Sequence, residues 1–249
     1  MHLGAKQNPV TGRCEDCPIR HRAVCANCEH DELGILERIK SYRTYAPGDT
    51  IAWSGERMSL VGSVVSGVAM LSSTLPDGRR QMVGLLLPSD FIGRPGRSHV
   101  SYDVVAATDI TLCMFQKAEF ERMVATSPRI ERRLLEMTLD ELDAAREWML
   151  LLGRKTAREK IASLFVIMAR RDAALQQTTP HDGLHFPLYI TREAMADYLG
   201  LTIETVSRQI SALRKEGLIE LGENRMVNVP DFAALIDESA DDSDGGLLT

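Results

Sequence analysis

The chain has 249 residues and a formal net charge of −6, long enough for one large domain or two smaller ones with real cores. No apolar run approaches the roughly 20 residues of a bilayer span. The leading Met1-His2-Leu3-Gly4-Ala5-Lys6 lacks the apolar core of a secretory peptide. A cytoplasmic protein with reduced thiols and no membrane partner is therefore expected. The negative charge speaks against nucleic acid only until it is divided by region. Six acids (Asp231, Asp237, Glu238, Asp241, Asp242, Asp244) and no base lie from Asp231 onward, so the other 230 residues sum to zero. From Arg154 to Pro230 eleven Lys/Arg face nine Asp/Glu. DNA stays open as a partner, and residues 232–249 read as a solvated, disordered acidic tail.

Four of the five cysteines, Cys14, Cys17, Cys25 and Cys28, fall within fifteen residues in the spacing Cys-x2-Cys-x7-Cys-x2-Cys; the fifth, Cys113, is far away. In a reducing compartment such a group is a thiolate site for zinc or for iron–sulfur, and the local spacing leaves both open.

From about Tyr42 to Phe115, turn chemistry recurs at regular intervals: Pro47-Gly48-Asp49, Ser54-Gly55-Glu56, Ser66-Gly67, Pro76-Asp77-Gly78 and Pro88-Ser89-Asp90. Between them lie strand-like pieces at 50–53, 60–65, 68–72, 82–87, 104–107 and 111–115, which together predict an all-β barrel or roll. Asp77-Gly78 is the strongest hairpin signal.

Beyond Lys117 the periodicity is helical, with Pro128 suited to the first turn of a long helix. Leu135, Thr138, Leu142, Ala145, Met149 and Leu152 alternate spacings of three and four, a narrow seam that pairs with a second helix or packs on its own β domain. Asp140, Glu141, Asp143 and Glu147 flank it and would repel one another across a dimer.

After Gly153 a helix is predicted over about 156–171, then a polar loop through Pro180-His181-Asp182-Gly183. Residues 193–199 form a short amphipathic helix, Gly200 turns, and Thr202 caps a second helix running to about Glu216, with Gly217 as the stop. Two short strands, 218–221 and 226–229, around Gly222-Glu223-Asn224 complete a winged helix-turn-helix. In that motif the second helix enters the major groove with its N-terminal residues on base edges. Thr202, Glu204, Ser207 and Arg208 occupy those positions: Arg pairs with guanine, Glu accepts from cytosine, and Ser serves either role. Lys155, Arg158, Arg192, Arg214 and Lys215 are candidates for phosphate contacts. The bland alternative is a surface Glu204–Arg208 pair at helical spacing, worth little. No phosphate-cradling Gly-Lys loop, nucleophile elbow or His-Glu metal motif appears, so no enzyme is expected.

The order of parts and the string Tyr198-Leu199-Gly200-Leu201-Thr202-Ile203-Glu204-Thr205-Val206-Ser207-Arg208 resemble the CRP/FNR superfamily of bacterial transcription regulators. Ile203 and Ser207 resemble the FNR branch, where CRP-type proteins carry arginine and glycine. The resemblance implies an α+β fold: an N-terminal β-roll of the cupin-like, cyclic-nucleotide-binding type, a long dimerisation helix and the winged helix-turn-helix. It divides the chain into a cluster-binding segment (1–30), a sensor roll (31–126), a dimer helix (127–153) and a DNA-binding domain (154–231). It further implies a homodimer paired through Leu135, Leu142, Ala145, Met149 and Leu152, a palindromic double-stranded operator with TTGA…TCAA-like halves, and contact with RNA polymerase through roll loops such as 74–80.

The same resemblance implies an oxygen-sensing 4Fe–4S cluster held by Cys14, Cys17, Cys25 and the roll cysteine Cys113, with Cys28 spare; Cys28 in place of Cys25 is the rival set. Two departures stand out. Seven residues rather than five separate the second and third cysteines, which resembles the FnrL-type variants, and Ala145 replaces an aspartate in the dimer helix. The phosphate-binding Arg-Ser pair of CRP-type pockets is not matched: Ser101-Tyr102 stand in its place, and Arg97-Ser98 lie four residues too early.

Overall fold

The structure, a computed structural model, describes residues 12–241. In chain order it contains a 3-10 turn (Cys14–Asp16), α1 (His30–Ile39), β1 (Lys40–Tyr45), β2 (Thr50–Ala52), β3 (Leu60–Ser66), β4 (Ala69–Thr74), β5 (Arg80–Leu86), β6 (Phe91–Ile92), β7 (Asp103–Ala106) and β8 (Ile110–Gln116). Then follow α2 (Lys117–Thr126), α3 (Pro128–Arg154), α4 (Ala157–Leu175), β9 (Leu184–Pro187), α5 (Arg192–Leu199), α6 (Ile203–Lys215), β10 (Glu220–Leu221), β11 (Met226–Val229) and α7 (Phe232–Ser239). Two compact units emerge, one of residues up to Ala69 with Leu86–Arg133, the other of Met70–Leu85 with Leu134 onward.

In the first unit a four-stranded sheet runs in the order β1-β8-β3-β6, and β2 pairs antiparallel with β7. β8 is central and covered on both faces. Leu112 and Met114 are buried on one side; Phe115 is buried on the other, next to the half-buried Cys113. That double burial is why its sequence is a continuous apolar run instead of an alternation. Gly62 permits close approach of β3 and β8, since a Cβ there would lie 2.1 Å from the Cys113 carbonyl oxygen. Phe115 stacks on Phe120 of α2 with centroids 5.5 Å apart, closing this end of the core. The six predicted strands are all present; β1 over its full length, the two-residue β6 and α1 are additions. α1 starts without a Ser, Thr or Asp cap. Glu29 and Glu32 form its capping box instead, an unusual residue choice at this position.

α3 begins at Pro128 as expected, and most of its apolar seam is exposed. Leu135, Leu142 and Met149 are 57%, 46% and 65% exposed; Thr138 and Ala145 are exposed as well, and Leu152 is half-buried. The seam is an exposed apolar stripe along the helix. The flanking acids are weaker repellers than their count suggests, because Asp143 pairs with Arg146 at 3.0 Å.

The second unit contains the winged helix-turn-helix. Thr156 and Glu159 form a capping box at the start of α4, Thr191 caps α5, and Gly200 ends α5 in the left-handed region at φ 62°. Thr202 accepts a hydrogen bond from the Thr205 main-chain N–H and starts α6. The wing has a third strand, in the order β10-β11-β9.

The tail expectation is corrected in part. Residues 232–239 form α7, with Asp231 as N-cap and Phe232, Leu235 and Ser239 buried, three and four residues apart on one face. The acids counted as solvated tail mask an amphipathic helix, and several are engaged. Residues 242–249 lie outside those described.

Candidate cofactor and DNA-binding sites

Residues 12–28 pack apolar side chains around the cavity beside β8, and hydrogen bonds tie the segment to itself, to α1 and to β1. Ile19, Ala23 and Val24 are at most 2% exposed. Arg20 donates to the carbonyl oxygens of Ala26 and of Cys28, the latter at 2.9 Å, which closes the loop between the third and fourth cysteines. The Cys14 N–H donates to Glu37 at 3.1 Å, and Lys40 Nζ donates to Cys14 Sγ at 3.4 Å.

The result is a cavity of about 20 Å³ lined by Cys14, Cys17, Cys25 and Cys113, with Tyr42 and Ser63 beside them and Ile19, Val24, Leu36 and Phe115 among the apolar walls. Cys28 is buried but does not line it. The sheet register explains how the distant cysteine arrives. Tyr42 and Ser63 lie opposite Cys113 on its two neighbouring strands, so all three side chains share one face of the sheet. Burial pushes the Cys25 thiol up to about 11 and the Cys113 and Cys28 thiols up to about 12; Cys17 is raised for the same reason. A thiolate in this setting needs a cation to hold its charge. Among the described residues no three His, Cys, Asp or Glu side chains gather into a group able to hold a metal ion. The thiols face one cavity without converging on a point. Since the space equals about one water, seating any larger group requires the sulfurs to move apart.

The same segment also reaches the start of α3. Arg133 Nη2 donates to the Arg22 carbonyl oxygen at 2.6 Å, Arg129 pairs with Glu29, and the Ser127 hydroxyl donates to Glu32. These links escape sequence reading because each joins residues about a hundred positions apart.

On α6, Val206, Ile210 and Leu213 are buried, which turns Glu204 and Arg208 to the exposed side with Ser207 half-buried beside them. The Glu204 carboxyl is held below its ordinary range by its own main-chain N–H, the Thr202 hydroxyl and the charge of Arg208. Arg208 donates to Thr205 Oγ1 at 3.4 Å. No direct Glu204–Arg208 ion pair is present among the described residues; each side chain instead meets a threonine of the same helix start. Arg192 and Arg214 are exposed, one at the start of α5 and one near the end of α6.

Two expected phosphate contacts are corrected. Lys155 is turned inward, donating to Ser163 Oγ at 2.7 Å and the Ser239 carbonyl at 2.9 Å and pairing with Asp241. Arg158 is clamped by Glu216 and Glu238. Both cations fasten α4 to the C-terminal helix region, where a charge left unpaired would be costly. The Arg97-Ser98 pair lies in an exposed loop, with Arg97 Nη1 donating to Ser101 Oγ at 3.4 Å.

A β-roll unit joined by a long helix to a winged helix-turn-helix defines a DNA-binding transcription regulator, and known proteins agree. Residues 42–127 match the cyclic nucleotide-binding domain family, and residues 159–238 match the Crp-like helix-turn-helix domain family. The chain is 64% identical over 238 residues to the transcriptional activator protein FnrL of Cereibacter sphaeroides, covering 96% of each. It is 39% identical to the nitrogen fixation regulation protein FixK of Bradyrhizobium diazoefficiens, over 84% of this chain and 86% of that one. The solved structure of FixK2 from Bradyrhizobium japonicum superposes with a TM-score of 0.73 at 30% identity, over 82% of this chain and 100% of that one. The chain belongs to the CRP/FNR family of transcription regulators.

Proposed function

We propose that this regulator is an oxygen-responsive transcriptional activator of the cytoplasm, in which a 4Fe–4S cluster held by Cys14, Cys17, Cys25 and Cys113 promotes a two-fold dimer on a palindromic TTGA…TCAA-type operator. The observation that carries it is that those four cysteines, from two distant parts of the chain, line one cavity that Cys28 does not. Soft thiolate donors suit iron–sulfur chemistry, and seating a cluster among them would widen the small cavity they line. The bound cluster would supply cross-links between the N-terminal segment and β8 together with sensitivity to oxygen.

The chain's own residues do the rest. Residues 14–28 are the cluster segment and the roll the sensor. Arg133, Arg129 and Ser127 hold the segment to the head of α3, two residues before the first seam leucine. Order in the segment is thereby coupled to the position of Leu135, Leu142, Ala145, Met149 and Leu152, which pair the protomers. Each protomer then presents Thr202, Glu204, Ser207 and Arg208 to one half-site, with Arg192 and Arg214 on phosphates. The halves lie about one helical turn apart. RNA polymerase contact through the exposed turn at 74–80 is part of the same reading.

The direct test is an anaerobic iron and sulfide assay paired with operator binding before and after exposure to air. Brown protein that bleaches and releases DNA supports the reading; colourless protein with stoichiometric zinc and unchanged binding overturns it. Two variants probe its parts. Glu204→Ala is expected to relax preference at one base pair of each half-site by about 1–3 kcal/mol while leaving the dimer intact; unchanged discrimination among half-site variants would remove Glu204 from base reading. Arg133→Met is expected to keep its iron but to lose about tenfold of the cluster-dependent gain in dimerisation, the scale of one charge-assisted hydrogen bond. Sedimentation with and without the cluster measures it, and a wild-type gain would break the proposed link.

A further inference from the structure

Ser63 lies in the apolar run Val61-Gly62-Ser63-Val64-Val65 of β3. It is 2% exposed, and its hydroxyl oxygen has no hydrogen-bond partner. Buried hydroxyls are rarely left in this state, because desolvation without a partner is unfavourable. The register sets Ser63 directly opposite Cys113, and its side chain lines the cavity that holds Cys14, Cys17 and Cys25. Most of the remaining lining is hydrocarbon, so the acceptors offered to this hydroxyl are chiefly sulfurs.

We propose that Ser63 is a positioning residue of the cofactor site, its hydroxyl donating a hydrogen bond to sulfur, either the Cys113 thiolate or the cluster, when the cluster is held there. This rests on the cluster reading above. A sulfur bearing negative charge accepts such a bond more strongly than a neutral thiol, so the donor is matched to the loaded site. Hydrogen bonds to cluster sulfurs favour the more reduced state and fix ligand orientation. Ser72 supplies the control: its hydroxyl is equally buried and unpartnered, but it lies on β4 and does not line the cavity.

The test compares Ser63→Ala, Ser63→Thr and Ser72→Ala with the wild type, all full-length and purified without oxygen. Ser63→Ala is expected to load iron and sulfide to the wild-type ratio. Its midpoint potential moves negative, and a chelator strips its iron about tenfold faster. Ser63→Thr restores both readouts, and Ser72→Ala leaves both at wild type. Metal-free Ser63→Ala should melt no lower than the wild type, since the change removes an unpartnered hydroxyl. A wild-type potential and stripping rate in Ser63→Ala overturns the inference and leaves the cluster reading standing. A wild-type chain without iron and sulfide overturns both.

Discussion

Cys113→Ala, purified without oxygen, is expected to carry essentially no iron or acid-labile sulfide, whereas Cys28→Ala keeps both at wild-type levels. The contrast follows from geometry. Both thiols are shielded, but Cys113 enters the cavity shared with Cys14, Cys17 and Cys25 and Cys28 does not. Removing one ligand of four leaves iron exposed to exchange and unties the N-terminal segment from β8. Operator affinity should then fall by roughly 10³-fold or more, towards the non-specific level, because the protomers no longer pair and a single half-site is read. Folding is not the cause of the loss. Cys113 is half-buried and its replacement removes one sulfur, so metal-free Cys113→Ala and wild type should show superimposable circular dichroism. Normal cluster content in Cys113→Ala would refute the ligand set, and a cluster lost in Cys28→Ala but kept in Cys25→Ala would replace it with the rival one.

Leu142→Glu is expected to abolish dimerisation while leaving cluster loading intact. Leu142 sits mid-seam and is 46% exposed. A buried leucine contributes about 1.5–3 kcal/mol, and a two-fold interface contains two copies. Each copy, already half covered in its protomer, has about half of that left to gain, so losing both weakens the dimer by about 1.5–3 kcal/mol, or roughly 10–10² in its association constant. Two glutamates facing each other would add repulsion to the existing Asp140 and Glu141. Anaerobic sedimentation at micromolar concentration reads the result, with iron content as the internal control. An unchanged dimer would mean the exposed seam serves another partner. Ala145 bears on the same balance: with no carboxylate at that position and Asp143 paired to Arg146, this helix carries less built-in repulsion than its acid count implies.

The winged helix-turn-helix was legible almost to the residue, because its signals are local. Thr191 and Thr202 cap helices through their own side chains, Gly200 takes the left-handed turn that a Cβ disfavours, and the spacing of Val206, Ile210 and Leu213 marks the buried face. The six turn-bounded strands and the Pro128 helix start follow the same logic. α1 was missed because its capping box uses Glu29, and α7 because a count of acids outweighed the buried face Phe232–Leu235–Ser239. β9 was lost at the end of a polar loop because its alternation, Leu184 and Phe186 in with His185 out, spans only four residues and ends in proline.

Spacing and residue type alone settled which side chains could do chemistry: soft sulfurs at metal-ligand intervals, an apolar seam, and a Glu–Ser–Arg set at the head of a recognition helix. Three-dimensional packing settled which of them act together. Cross-strand register sets Cys113 between Tyr42 and Ser63 under the N-terminal segment. Burial reveals Ser63 as a hydroxyl without a partner, and long-range ion pairs draw Lys155 and Arg158 away from any phosphate. Propensity and capping act within a few residues, so a linear reading captures them. Register, desolvation and pairing join residues many tens of positions apart, and they exist only once the strands and helices have met.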